Sequence, residues 1–122
     1  KAGDKRKIAE YSRVLAIDYL SALQYEKAQE ALFRALEIYE DLGDEQGIGG
    51  AYRSLGTIAI TMEEPELSIK YGDKARELLE KVEDYSTLTL VYLDYIKSYK
   101  LLGQYDKAYQ AAADCEVYLF YL

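Results

Sequence analysis

An all-α stack of three helix-turn-helix repeats is the fold the sequence predicts. Three observations predict it: a forty-residue period with no insertion, apolar spacing of three and four inside each unit, and turn-forming residues where each helix must end. Shifting the chain by forty brings Asp4, Asp44 and Asp84 together, then Ile8, Ile48 and Leu88, then Leu15, Leu55 and Tyr95. Later in the unit Tyr25, Pro65 and Tyr105 coincide, as do Ala28, Ser68 and Ala108, and Ala35, Ala75 and Cys115. The units 1–40, 41–80 and 81–120 account for all but two residues, and the whole of 1–122 is read as one repeat domain.

In the first unit, Tyr11, Leu15, Ile17, Tyr19 and Leu20 mark a helix over 5–21. Ala28, Ala31, Leu32, Ala35, Leu36 and Tyr39 mark a second over 25–40. The period carries these into helices over 45–61, 65–80, 85–101 and 105–120. Breaks inside the units are expected near Leu23-Gln24, Glu63-Glu64 and Gly103-Gln104. Breaks before each unit are expected near Gly3-Asp4, Gly43-Asp44 and Glu83-Asp84. Asp is a favoured N-cap, and Gly closes a helix in the left-handed conformation at low cost. Pro65 opens the fourth helix, in a first-turn position where a missing N–H is tolerated. Ala16 with Gly56, and the two small-residue columns above, are points of close helix approach.

Composition excludes several classes. Half of the residues are apolar and 30% charged, so a packed core is expected. The net charge of −7 argues against nucleic acid and anionic membrane as partners, since both need a basic face. By thirds the charge is about zero for 1–40, −5 for 41–80 and −2 for 81–120. No apolar run reaches the about 20 residues that span a bilayer. Cys115 stands alone, which rules out an internal disulfide, and a cytoplasmic location is the expectation. Without a starting methionine or a signal peptide, the chain is read as a fragment of something longer.

No enzyme is expected, and no cofactor or metal. Histidine, the commonest general base and metal ligand, is absent. Glu63, Glu64 and Glu66 straddle a turn and read as a solvated run. Cys115 has nothing nearby in sequence to activate it and aligns with Ala35 and Ala75, so it reads as a small core residue. Gly47-Ile48-Gly49-Gly50 lacks the preceding strand of a phosphate loop and reads as a closely packed helix start. Tyr19, Tyr52, Tyr92, Tyr95 and Tyr99 fall at packing positions, which favours core over base stacking.

The pattern resembles the tetratricopeptide repeat in its longer, roughly forty-residue form. Tyr52-Arg53-Ser54-Leu55-Gly56, Gly103-Gln104-Tyr105-Asp106-Lys107-Ala108 and Tyr25-Glu26-Lys27-Ala28 carry the likeness, which runs over essentially the whole chain. Three departures stand out: the late proline of that family is missing from each unit, Gly72 replaces a large residue, and Ile96 replaces a small one.

The resemblance implies a right-handed α-α superhelix of six helices whose first helices line a concave groove. It implies a non-catalytic scaffold for a partner peptide or protein segment. The alternative it implies is an effector-sensing domain, for a small ligand or signalling peptide, of a bacterial transcription regulator or sensor kinase. Inward positions carried from that family are Arg13, Ile17 and Leu20; Arg53, Thr57, Ile60 and Thr61; and Leu93, Lys97 and Lys100. This stripe holds four cations and no carboxylate, which suits an acidic or C-terminal peptide segment. The stretch Val117–Leu122 is too apolar for a free end, so the last helix is expected to pack on a further repeat or on a second copy, giving a homo-oligomer.

Overall fold

The computed structural model describes the backbone of residues 1–122 and every side chain except that of Ala2. Among these residues the chain forms α1 (Ala2–Ser21), α2 (Tyr25–Leu42), α3 (Glu45–Thr61), α4 (Pro65–Lys81), α5 (Tyr85–Leu101) and α6 (Tyr105–Leu119). Each helix packs on the next in sequence, and α3 also touches α5. The three hairpins therefore lie side by side with their first helices adjacent, an all-α repeat solenoid.

One closure serves all five turns. A residue one or two past each helix end takes a left-handed conformation: Leu23 (φ 61), Gly43 (φ 65), Glu63 (φ 59), Glu83 (φ 57) and Gly103 (φ 73). The next N–H then donates to the carbonyl five residues back, at 2.8 Å for Gln24 to Tyr19 and for Gln104 to Tyr99. The same bond runs from Asp44 to Tyr39 at 3.0 Å, from Glu64 to Ala59 at 2.9 Å and from Asp84 to Leu79 at 3.0 Å. It satisfies a carbonyl that the helix end would otherwise leave free. Three of these positions are not glycine, and each accepts about 1–2 kcal/mol of left-handed strain. Repetition of one closure keeps the hairpins alike, so their apolar faces stay in register.

Between repeats the caps differ in one respect. Asp44 accepts the Gly47 N–H at 3.0 Å, and Asp84 accepts the Thr87 N–H at 3.2 Å and its hydroxyl at 2.7 Å. Asp4 is no cap, contrary to the expected break at Gly3-Asp4. Gly3 has no positive φ, and the Lys5 N–H donates to the Lys1 carbonyl at 3.1 Å. Helical bonding therefore runs straight through Gly3, and Asp4 lies in the first turn of α1. Burial alone would raise the Asp84 carboxyl. The two bonds from Thr87, and one from Gln46, outweigh it and hold Asp84 below the usual carboxylate range.

Two buried clusters make the core. The first gathers Ala9, Ala16, Ala28, Leu32, Ala35 and Tyr39 of the first hairpin with Ala51, Leu55 and Ile58 of α3. The second gathers Ala75 and Leu79 of α4 with Leu88, Val91, Tyr92 and Tyr95 of α5 and Ala111 and Cys115 of α6. Tyr52 packs against both. Small residues set the approach distances. The Ser68 hydroxyl donates to the Gly56 carbonyl at 2.8 Å, and a Cβ on Gly56 would stand 3.3 Å from the Ser68 carbonyl oxygen.

Gly72 leaves a hollow where the resemblance expects a large side chain, and the next repeat fills it. A Cβ on Gly72 would come within 2.9 Å of the Tyr95 ring. The Tyr95 hydroxyl donates to Asp73 at 2.6 Å, and the Arg76 guanidinium lies over its ring. Ile96 is half-buried against the second cluster.

Two outcomes test this packing. Ala28→Leu, at a site with no exposed surface, should lower stability by about 1–3 kcal/mol in chemical denaturation, because the added atoms have nowhere to go. The Asp84 contribution, since its carboxyl is held low, is present above the unfolded-state value of about 3.9 and is lost as pH falls through the lower folded value. Asp84→Asn should therefore flatten the acid end of the stability–pH curve while leaving its neutral shape unchanged.

Candidate binding groove

The first helices bring the inward stripe together in two places. Arg13, Ile17 and Leu20 of α1 line one hollow with Arg53 and Thr57 of α3, floored by Ala16, Leu32 and Ile58. Its volume is about 120 Å³. Ile60 and Thr61 of α3 line a second hollow with Lys97 and Lys100 of α5, bordered by Glu63, Leu101 and Tyr105. Leu93 lines neither and is exposed. Of the ten residues carried forward from the resemblance, five thus line the first hollow, four (Ile60, Thr61, Lys97 and Lys100) line the second, and Leu93 lies outside both.

The helical repeat explains the first group. Arg13, Ile17 and Leu20 stand at i, i+4 and i+7, on one face of α1. Arg13 lies flat against α3 because residue 50 is glycine: a Cβ there would be 3.0 Å from a guanidinium nitrogen. The glycine run at 47–50 serves as a packing surface throughout. A Cβ on Gly47 would collide with the Tyr39 ring, and one on Gly49 would reach Leu79 at 2.9 Å.

Arg53 is half-buried, and its Nε is enclosed with no hydrogen-bond partner. Burial lowers its guanidinium from the ordinary value; attraction from Asp94 opposes this, and repulsion from Arg13 adds to it. A charged group enclosed without a full set of partners costs stability. Arg53 shares the first hollow with Arg13 and with the apolar side chains of Ala16, Ile17, Leu20, Leu32 and Ile58.

One group was missed. No carboxylate stands at the named stripe positions, but Asp94 lies beside them, 8% exposed, and accepts a 2.6 Å hydrogen bond from the Thr57 hydroxyl. Its repeat equivalents are Val14 and Ser54, so the forty-residue alignment gave no warning. The usable signal was its place one turn before Lys97 on the same helix. Asp94 tempers the field around Arg53 from beside the stripe.

Elsewhere the chemistry is quiet. The Cys115 thiol is buried 3.8 Å from the Thr89 carbonyl, and burial pushes its pKa up, away from the reactive thiolate. Glu63, Glu64 and Glu66 sit exposed at the α3–α4 turn. Among the described residues no three His, Cys, Asp or Glu side chains are placed to hold a metal ion. No described helix is long and apolar enough to cross a membrane.

Solved structures share this architecture. The TPR domain of Arabidopsis FLU superposes with a TM-score of 0.86 over 97% of this chain and 99% of that one, at 21% identity. The chain has the tetratricopeptide-repeat fold. BtubC (BKLC) from P. vanneervenii matches at TM-score 0.84 and 19% identity over 92% of this chain, which spans 46% of that protein. No protein-family model matches the sequence, and no curated protein does. The TPR fold is in general one of protein interaction, which fits a row of side chains aimed outward from stacked first helices.

The Thr57–Asp94 bond offers a direct test of how the groove is held. Thr57→Val should destabilise the chain by about 1–3 kcal/mol, because it leaves a buried acceptor unpaired. Combining it with Asp94→Leu should recover much of that loss in the same denaturation measurement.

Proposed function

We propose that this TPR chain is a non-catalytic scaffold whose groove binds an extended partner segment through a carboxylate, either an acidic side chain or a free C-terminus. The observation that carries the reading is the first hollow, where two guanidiniums, Arg13 and Arg53, converge on apolar walls and one guanidinium nitrogen is enclosed and unpartnered. Arginine forks match carboxylates in a planar, bidentate geometry, and desolvation strengthens the bond. Ile17, Leu20 and Ile58 supply contact for an apolar side chain next to that carboxylate. Lys97 and Lys100, further along the row, extend the preference for acid.

The hollow's size favours a side chain of a partner over a free effector. At about 120 Å³ it falls well below the about 300 Å³ at which small-molecule sites begin.

Selection from a random peptide library displayed with free C-termini, followed by fluorescence anisotropy, tests the proposal. Enriched peptides should carry an acidic residue or a required terminal carboxylate beside an apolar residue. Arg53→Met should weaken them by at least about tenfold. The same substitution should leave folding stability unchanged or raised, because it removes a poorly satisfied charge. Leu93→Ala, on the same helix row but outside both hollows, should leave binding unaffected. Peptides that bind Arg53→Met and Arg13→Gln as well as the parent would sink the reading.

A further inference from the structure

The repeats fill the space beside their second helices in different ways. In the second hairpin, Tyr71 of α4 stacks on Tyr52 of α3 with ring centroids 6.2 Å apart, and Lys74 lies over the Tyr52 ring. One repeat later the place of Tyr71 is held by Ala111. Tyr92, the equivalent of Tyr52, stacks instead on Tyr118 at 5.5 Å, where the earlier hairpin has Leu78. A hollow of about 130 Å³ remains at Ala111.

Tyr92, Tyr95 and Tyr99 floor it, spaced i, i+3 and i+7 on α5 and on a different face from Lys97 and Lys100. Arg76 of α4 forms one wall, and Lys107 and Asp114 of α6 form the other. Since α5 packs on both α4 and α6, the hollow is built from junctions made within the chain. Neither hollow of the groove shares a residue with it.

We propose that this hollow is a second docking site, which takes a tyrosine side chain of a partner protein. The ring follows from the internal comparison, because the chain itself sets a phenol at this place one repeat earlier. The volume agrees: it suits one side chain and is far below the about 300 Å³ at which small-molecule sites begin. A cation is the other guest of a tyrosine floor, but the chain's own cations already cover these rings. Arg76 lies over Tyr95 and Lys107 over Tyr99, each at 5.8 Å. The hydroxyl follows from the rim. Where the earlier hairpin has Lys74, this one has half-buried Asp114, which accepts from Gln110 at 3.0 Å on one oxygen only. Tyrosine supplies a ring of the kind already accommodated and a donor for the second carboxylate oxygen.

N-acetyl-L-tyrosinamide is the probe, with binding read from the backbone amide resonances of α6. It should bind the parent with a dissociation constant on the order of 1 mM, and N-acetyl-L-phenylalaninamide should bind several-fold more weakly. Ala111→Tyr should fill the hollow from within, so that the variant melts no lower than the parent and loses the probe. Asp114→Ala, at the rim, should bring the tyrosine probe down to the level of the phenylalanine one. Arg53→Met should leave the probe unaffected, which separates this site from the groove. A parent whose α6 resonances do not respond at ten times the expected dissociation constant overturns the proposal. So does tetramethylammonium bound in the probe's place, an Ala111→Tyr chain that melts lower, or one that binds the probe as the parent does.

Discussion

A helical hairpin cannot bury its own apolar face, and the rest of this structure depends on that constraint. Two helices joined by a three-residue turn cover one stripe of each other and leave the outer stripes to a neighbour. Here Tyr39 and Leu36 of the first hairpin find their cover in α3, and Leu79 of the second finds it in α5. Stability is therefore shared between repeats, and the register between hairpins matters as much as the packing within them. The common turn closure supplies that register: it sets the same exit geometry after each helix, so successive faces meet at the same height. Strain at Leu23, Glu63 and Glu83 is small beside the burial that correct register secures.

Within that frame the two junctions are filled by different means. The first is filled mostly by alanine and leucine; the second adds Tyr92 and Tyr95 to its aliphatic residues, with glycine making room at residue 72. Tyrosine brings a hydroxyl that must be placed, and Tyr95 places it on Asp73 with Arg76 across its ring. Burial and that carboxylate drive the Tyr95 phenol far above its usual pKa, so it stays a donor. Stacked Tyr85, Tyr92 and Tyr118 continue the same solution between α5 and α6. These tyrosines are thus packing residues, and Tyr95 answers the question that Gly72 raised in the sequence.

The helices were legible in the sequence almost to the residue because their ends are written locally, in Asp44, Pro65, Asp84 and Gly103, and the period repeats each signal. The same rule misled at Gly3-Asp4. Those residues look like Gly43-Asp44, but no left-handed turn precedes them, and helix propensity carried α1 through. The groove was legible only in part. Spacing shows which side chains of one helix share a face, so Arg13, Ile17 and Leu20 could be grouped. It does not show how deeply a neighbouring helix encloses them. The enclosure of Arg53, the placement of Arg13 against Gly50 and the burial of Asp94 all arise between repeats, where identity at one position depends on shape at another.

That dependence explains how a charged groove survives in an acidic chain. Carboxylates crowd the second helices and turns, where water screens them, and they leave the first-helix row to cations. Arg53 costs stability where it stands, since burial disfavours its charge and Arg13 repels it. Asp94 offsets part of that cost by attraction, while it also accepts the Thr57 hydroxyl. A second carboxylate at the same depth would complete the pairing and silence the site. With one, the guanidinium Nε stays enclosed and unpartnered, and the proposed carboxylate site rests on that imbalance.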